Sequence, residues 1–155
     1  MDIEINIYTD GSCSGNPGPG GWAAVILNQN NETIISGFES NTTNNRMEIL
    51  AAIKALQQIK HNTTINLFTD SNYLKNGITS WIHNWKKNNW INSQKKSVAN
   101  QDLWRELDEL NNELIVNWNW VKAHENNFYN NLADQHAVSA MKYQKNLKLE
   151  NGKIL

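Results

Sequence analysis

The sequence predicts an α/β fold, a mixed five-stranded sheet with helices packed on it. Stretches in which apolar and polar residues alternate are typical of half-buried strands, and from residue 44 stretches with the period of amphipathic helices intervene. A chain of 155 residues, 39% of them hydrophobic, is long enough to bury a substantial core. We therefore expect residues 1–155 to form a single domain.

The N-terminal part predicts three antiparallel strands joined by two turns. Residues 3–9 alternate isoleucine with polar residues, and the stretch GNPGPGG (15–21) is rich in turn-forming residues. The runs WAAVIL and ETIISGFES, separated by the polar tip NQNN, predict the next two strands. GNPGPGG lacks the GK[ST] ending of a phosphate-binding loop, so a hairpin-type turn is the better interpretation.

Helices and strands alternate in the rest of the chain. Met47, Leu50 and Leu56 follow a helical period, and the run TINLFT is again typical of a strand. The remaining elements expected from such patterns are helices at 44–59, 71–80, 81–88, 101–112 and 128–143, strands at 64–69 and 114–121, and a polar loop at 88–100.

Composition limits the class of protein. A single cysteine, Cys13, excludes an internal disulfide framework and fits a reducing compartment. The N-terminus MDIEINIY has neither the charge pattern of a signal peptide nor the length of a membrane span. We therefore expect a cytoplasmic protein with no membrane partner.

The net charge of −1 conceals an uneven distribution. Between Asp70 and Asp102 there are five lysines and no acidic residue, so this stretch carries +5 and the rest of the chain −6. Such a patch indicates either a polyanion-binding surface or an ordinary solvated face, and charge alone does not decide between them.

Four carboxylates occupy positions that suggest a shared site. Asp10 and Asp70 each follow a Thr where a predicted strand ends, and if these strands are neighbours both lie at one edge of the sheet. Glu48 lies in the first turn of the helix at 44–59, and Asp134 lies on a flank of the last helix that faces its packing partner. Each has a structural alternative: strand-end aspartates often begin turns, and Glu48 could form a capping box with Asn45.

Four carboxylates that meet without compensating bases repel one another and raise one another's pKa values. Divalent metal ions remove this conflict, and hard oxygen ligands suit Mg²⁺, which completes its shell with water and phosphate oxygens. The pattern therefore favours a metal site that acts on phosphate groups.

Several motifs together resemble bacterial type 1 ribonuclease H. They are YTDGSCSGNPGPGGW, TTNNRMEILAAIKAL, TDSNYLKNGITSWIHNWK, DLW, WNWVKAH and LAD, in the family's order over about residues 5–140. The resemblance implies a ribonuclease H-like fold with helices on both faces of the sheet and one catalytic domain over residues 1–155. It also implies hydrolysis of the RNA strand of an RNA/DNA hybrid with two Mg²⁺ ions, Mn²⁺ being an alternative, to give 5′-phosphate and 3′-hydroxyl ends. The expected protein is a monomer without an obligate protein partner.

The resemblance also assigns roles to residues of the centre. Asp10, Glu48, Asp70 and Asp134 match the family's metal-binding carboxylates, and His124 matches its mobile catalytic-loop histidine, which would shuttle protons or help product release. Without the resemblance, His124 would be read as a surface or packed histidine. Cys13 has no activating histidine in a Cys–His pattern, so it is expected to contribute its backbone and not a nucleophile.

Substrate contacts follow from the same resemblance. Asn and backbone amides both donate and accept hydrogen bonds, as a ribose hydroxyl requires. The expected ribose and minor-groove contacts are Cys13, Asn16, Asn44, Asn45 and Asn72. Thr43 and Asn84 resemble the DNA-strand phosphate pocket, whereas Trp81 and Trp85 either pack on deoxyribose or fill the core. The expected phosphate-gripping residues, called here the basic handle, are Lys86, Lys87, Lys95 and Lys96.

Some positions depart from the family pattern. Ala123 replaces the usual glycine before His124, the stretch at 125–133 is unlike the usual loop, and Asn72 replaces a glutamine. Asn88 and Ile91 stand where basic residues are common, so we expect weaker and less salt-sensitive hybrid binding than in more basic relatives.

Two other functions remain open: a nuclease or strand-transfer enzyme of the same fold that acts on DNA, and a binding module without catalysis. The stretches TTNNRME and WIHNWKK speak against the first, and the complete set of carboxylates with the histidine speaks against the second.

Overall fold

The structure, a computed structural model, describes residues 4–60, 63–123 and 126–155 and builds them around one mixed sheet. The strands are β1 (Glu4–Cys13), β2 (Gly18–Asn28), β3 (Asn31–Thr42), β4 (Thr64–Thr69), β5 (Ile115–Trp120), β6 (Leu147–Glu150) and β7 (Lys153–Ile154). The helices are α1 (Asn44–Leu56), α2 (Asn72–Asn76), α3 (Ile82–Lys87), α4 (Gln101–Glu113) and α5 (Phe128–Tyr143). A π-helical segment, Gly77–Trp81, joins α2 to α3.

The strands follow the order β5-β4-β1-β2-β3-β6-β7 across the sheet. Strands β1, β2 and β3 form the expected antiparallel meander, and β4 and β5 add in parallel to the other edge of β1. The predicted α/β fold with a mixed sheet is confirmed. The expected number of five strands was wrong, because β6 and β7 follow the last helix and extend the sheet beyond β3.

Alternate residues of the central strands face opposite sides of the sheet, and each side is covered by helices. Ile7 and Ala24 belong to the large core that α1 and α4 cover, whereas Tyr8 and Val25 belong to a second cluster beneath α5. Helices on both faces, as the resemblance implied, are therefore confirmed.

Several boundaries differ from the sequence-based expectations. Strand β1 does not end at Asp10 but continues to Cys13, because these last residues pair with β2. Strand β2 accordingly begins at Gly18, inside the expected turn at 15–21. The segments predicted as two helices at 71–88 form one helical run over α2, the π-helical segment and α3, where Gly77 leaves room for the ring of Trp104.

Helix caps explain where the site-bearing helices begin. The Thr43 hydroxyl accepts a hydrogen bond from the Arg46 N–H (3.2 Å) and caps α1, so the alternative of a capping box between Asn45 and Glu48 was wrong. The Ser71 hydroxyl caps α2 in the same way, at 3.0 Å from the Leu74 nitrogen. None of the helices in the described part of the chain has the length and apolar composition needed to cross a membrane.

Candidate active site

Two of the predicted carboxylates meet through sheet pairing. The parallel ladder between β1 and β4 ends with Thr9 opposite Thr69, and the next residues are Asp10, still within β1, and Asp70, directly after β4. The inferred adjacency of these strands is therefore confirmed. Asp10 is only 4% exposed, since it remains inside the sheet opposite Ala23 on its other side.

Glu48 reaches Asp10 because α1 lies directly on strand β1. A methyl group at Gly11 would lie 2.5 Å from the backbone nitrogen of Glu48 and 2.6 Å from the carbonyl carbon of Met47, so only glycine permits this contact. Glu48 is 4% exposed, and its Oε1 has no hydrogen-bond partner within the described residues. A buried carboxylate oxygen without a partner is costly unless a cation or a proton compensates it.

Asp134 approaches from the other face of the sheet, where a glycine again allows a helix to lie close to a strand. A methyl group at Gly21 of β2 would overlap the carbonyl oxygen of Ala137, so α5 lies against the strand at this point. Asp134, one helical turn before Ala137, is half-buried and hydrogen-bonded to the side chain of Asp10. The two glycines thus bring one carboxylate to Asp10 from each face.

The carboxylates form a metal-ligand group. One oxygen from each of Asp10, Glu48 and Asp70 can lie within 4.8 Å of the other two, and Asp134 borders this group at Asp10. Burial, together with the charge of Asp70 and the hydrogen bond that protonated Asp10 donates to Asp134, raises the pKa of Asp10 to about 8. Burial and the charges of Asp10 and Asp70 raise the pKa of Glu48 well above its usual range.

These features fit a divalent cation. Hard carboxylate oxygens are the ligands that Mg²⁺ prefers, and a bound cation would offset the burial and the mutual repulsion that raise the pKa values of Asp10 and Glu48. The same cation would give the unpartnered Oε1 of Glu48 a partner.

The predicted histidine, His124, lies outside the described residues together with Glu125. Of the stretch at 125–133 that departs from the family pattern, residues from Phe128 onward form the first turns of α5. Asn127 caps this helix, its side-chain oxygen accepting from the Asn130 N–H at 3.0 Å.

The predicted ribose contacts lie on the elements that carry the carboxylates or directly beside those elements in the chain. The Asn16 side-chain oxygen accepts from the Asn44 N–H (3.4 Å), which joins the β1–β2 turn to the start of α1. The exposed side chains of this group are those of Asn16, Asn44, Asn45 and Asn72. The Cys13 thiol donates to the carbonyls of Gly18 (3.5 Å) and Thr42 (3.4 Å), and burial raises its pKa. Cys13 therefore lacks the activation of a nucleophile, as expected.

The two predicted tryptophans have different environments. Trp81 is 40% exposed, whereas Trp85 packs among Trp81, Trp90 and Trp104 with ring centroids 5.5–6.3 Å apart. Both border an open groove of about 690 Å³ that Asn84 also lines. The groove therefore has a tryptophan on its surface, backed by a second one anchored in the core.

The basic handle is less uniform than its sequence indicates. Lys87, Lys95 and Lys96 are exposed, but the Lys86 ammonium lies 3.0 Å from a carboxylate oxygen of Asp108. One of the four expected phosphate-binding charges is thus engaged within the protein.

A polar network that no sequence pattern predicts lies beside the site. The Tyr73 hydroxyl accepts from the Asn100 amide (2.9 Å) and the Trp104 indole (3.3 Å). The Asn100 side-chain oxygen accepts from Arg46 (3.3 Å), which also forms a two-pronged ion pair with Asp102 (2.9 and 3.0 Å). The network ties α1 to α2 and α4. No sequence signal points to the residues of this network. Among the residues that shape the site and were not predicted, only a glycine inside a strand pattern, as at Gly11, has such a signal.

Comparisons with known proteins agree with this geometry. The RNase H family model matches residues 2–142. Ribonuclease H from Wolbachia sp. subsp. Drosophila simulans (strain wRi) is 54% identical over 138 residues, which cover 89% of this chain and 95% of that protein.

Among solved structures, LC9-RNase H1, a type 1 RNase H with the type 2 active-site motif, has a TM-score of 0.86 at 28% identity, covering 100% of this chain and 78% of that one. LC11-RNase H1, solved in complex with an RNA/DNA hybrid, has a TM-score of 0.65 at 22% identity, covering 90% of this chain and 97% of that one. The resemblance inferred from the motifs is thereby confirmed. The chain belongs to the RNase H family and is a hydrolase of the endoribonuclease class.

Proposed function

We propose that this protein hydrolyses the RNA strand of RNA/DNA hybrids with two divalent metal ions and leaves 5′-phosphate and 3′-hydroxyl ends. The observation that carries the proposal is the convergence of Asp10, Glu48 and Asp70 oxygens within 4.8 Å beside the point where the β1–β4 ladder ends. The hybrid bound to the related LC11-RNase H1 supports the substrate class.

The four carboxylates divide the work of holding the ions. Asp10 is the central ligand, because Asp70, Glu48 and Asp134 all act on it from neighbouring elements. At such a site a pair of Mg²⁺ ions, or Mn²⁺ in their place, supplies an activated water and stabilises the leaving 3′-oxygen. Asp134 shares a hydrogen bond with Asp10 while Asp10 is protonated, and it would act as a further carboxylate ligand once the ions bind. His124 follows strand β5 closely in sequence and is proposed to carry a proton to or from the reacting groups.

Selectivity for a hybrid requires one surface that reads ribose and another that accepts deoxyribose. The exposed amides of Asn44, Asn45 and Asn72 can donate to and accept from a 2′-hydroxyl, and Asn16 and the backbone at Cys13 adjoin them. The exposed ring of Trp81 offers a flat apolar surface for deoxyribose, where a 2′-hydroxyl would clash. Trp85 packs against that ring, with the two centroids 6.0 Å apart.

Phosphates of the DNA strand are proposed to bind on the same side. Thr43 and Asn84 would form a pocket for one phosphate, with the Thr43 hydroxyl proton still available because that hydroxyl acts as acceptor in the helix cap. Lys87, together with Lys86 after release from Asp108, would grip phosphates farther along the duplex. We propose that residues 1–155 act as one catalytic domain and as a cytoplasmic monomer.

The test compares four end-labelled substrates: an RNA/DNA hybrid, duplex RNA, duplex DNA and single-stranded RNA, each with Mg²⁺, with Mn²⁺ or with EDTA. We expect cleavage of the RNA strand of the hybrid alone, and only with metal. Cleavage of duplex DNA would favour a different nuclease of this fold. Absence of cleavage with Mg²⁺ and with Mn²⁺ would favour a binding module. The chemistry of the ends is checked by ligation, since a 5′-phosphate and 3′-hydroxyl can be rejoined.

A further inference from the structure

The basic handle packs beside a strongly acidic helix. Helix α4 contains five acidic residues and one arginine, which gives it a net charge of −4. It shares the core with the helical run that carries Lys86 and Lys87, through Trp104 and Leu107 on one side and Ile82 and Trp85 on the other. The positive surface expected to meet nucleic acid therefore has a negative one next to it.

The acidic residues of α4 differ in what they contact. Both oxygens of Asp102 are engaged by Arg46, and Glu106 accepts a hydrogen bond from Gln57 at 3.0 Å. Asp108 instead lies 3.0 Å from the Lys86 ammonium. Its neighbour Glu109 is exposed and forms no ion pair with Lys86.

The Lys86–Asp108 pair is partly shielded from water. The side chain of Asp108 is only 16% exposed, whereas that of Lys86 is 45% exposed. Burial of the carboxylate strengthens its attraction for a nearby ammonium relative to an open surface pair. The exposed part of Lys86 can still turn toward an approaching phosphate, but only by weakening its contact with Asp108.

We infer that Asp108 competes with substrate phosphates for Lys86 and so limits the affinity of the protein for its hybrid. The inference rests on the proposed function, since it concerns the same substrate. It predicts that the protein holds its substrate more weakly than its five-lysine stretch would allow. It makes Asp108 an affinity-setting residue that itself touches no substrate.

The first test compares Asp108→Asn with Glu109→Gln, two variants that change the net charge equally on the same helix. KM for the hybrid in Mg²⁺ is measured at several NaCl concentrations. We expect Asp108→Asn to lower KM by about two- to fivefold, the range typical of a partly exposed ion pair. The plot of log affinity against log salt should steepen by about 0.9, the increment of one new phosphate contact. Glu109→Gln should change both quantities much less, and equal effects of the two variants would show a general charge effect and overturn the inference.

A double-mutant cycle with Lys86→Ala isolates the pair. In the Lys86→Ala background, Asp108→Asn should no longer lower KM, because the lysine that it releases is absent. The same decrease in both backgrounds would contradict the proposed competition.

A third comparison does not depend on how well the Asp108 variant folds. Lys87→Ala should raise KM more than Lys86→Ala does, because only Lys86 is already neutralised in the free protein. A larger effect at Lys86 would overturn the inference. Failure of the wild-type protein to cleave any hybrid would instead defeat the proposed function, so the two failures are distinguishable.

Discussion

Asp10 and Asp70 each lie one residue beyond the pair Thr9–Thr69 that ends the parallel ladder, Asp10 within β1 and Asp70 directly after β4. The convergence of these carboxylates therefore follows from strand register, since Asp70 is only one residue past the end of β4. The paired strands position both groups, which reduces the reorganisation that cation binding requires.

The raised pKa of Asp10 predicts how the stability of the metal-free protein depends on pH. The pKa of Asp10 is about 8 in the folded state, against 3.8 as its ordinary value. The folded state therefore binds an extra proton between these values, and stability falls as pH rises from about 4 to about 8. Asp10→Asn removes this loss. In EDTA the melting temperature of the variant should exceed that of the wild type by about 5 °C at pH 8 and by little at pH 4.

Thermal unfolding followed by circular dichroism measures this difference. Mg²⁺ should narrow it at pH 8, because the cation binds the folded wild type. A difference that is independent of pH, or that shrinks as pH rises, would contradict the origin assigned to it.

Gly11 is predicted to be essential for the position of Glu48. In Gly11→Ala the new methyl group meets the backbone of α1, so the helix must move and carry Glu48 with it. We expect a stability loss of about 1–3 kcal/mol from overpacking and a fall in activity of about 100-fold from misplacement of Glu48. Urea unfolding and cleavage rates measure the two effects.

Gly152→Ala is the matched control for this substitution. Nothing lies within 4 Å of a methyl group there, although its φ of +82° makes alanine unfavourable. This variant should lose about 1 kcal/mol of stability and keep its activity. Normal activity in Gly11→Ala would show that contact between α1 and β1 does not position Glu48.

The two groove tryptophans should separate binding from stability. Trp81→Ala removes a ring that is 40% exposed, so it should weaken hybrid binding more than it affects folding. Trp85→Ala removes a ring that packs against Trp104 and should cost about 2–4 kcal/mol in the free energy of unfolding. Affinity and urea titrations on both variants test this division, which the reverse pattern would refute.

The small number of lysines in the basic handle predicts that hybrid binding depends only modestly on salt concentration. Asn88 and Ile91 carry no charge, and Lys86 is paired, so three exposed lysines remain, Lys87, Lys95 and Lys96. Three phosphate contacts correspond to a slope of about 3 in log affinity against log salt, and Lys87→Ala should lower it by about 0.9. A slope as steep as that of more basic relatives would show phosphate contacts that the described lysines do not provide.

Much of the fold follows from periodicity, and the exceptions have physical causes. The strands β1 to β5 and the bounds of α5 could be predicted because each element has a clear pattern, a continuous apolar run in β2 and alternation or helical periodicity in the others. Strand β6 has only Leu147 and Leu149 as its pattern, and it forms because β3 offers an edge for pairing. The continuation of β1 past Asp10 was missed because glycine at position 11 is typical of a turn, whereas here it makes room for α1.

The candidate site, too, was only partly predictable from the sequence. The residue types and their strand-end positions indicate Asp10 and Asp70, but burial of Glu48 and the Lys86–Asp108 pair depend on how helices pack. Lysines of one sequence stretch look equivalent until the structure places an acidic helix beside one of them. Charge patterns therefore predict that a basic handle exists better than they predict how strongly it binds phosphate.

The most direct measurement is the cleavage of an end-labelled hybrid by the wild type and by Asp70→Asn over a Mg²⁺ titration. Asp70→Asn keeps the shape of the side chain and removes one charged metal ligand, so the fold should persist while the rate falls by about 100-fold or more. The wild type should cut the RNA strand only when Mg²⁺ is present. Cleavage in EDTA, or equal rates for the two proteins, would contradict a metal-dependent ribonuclease centre at Asp10, Glu48 and Asp70.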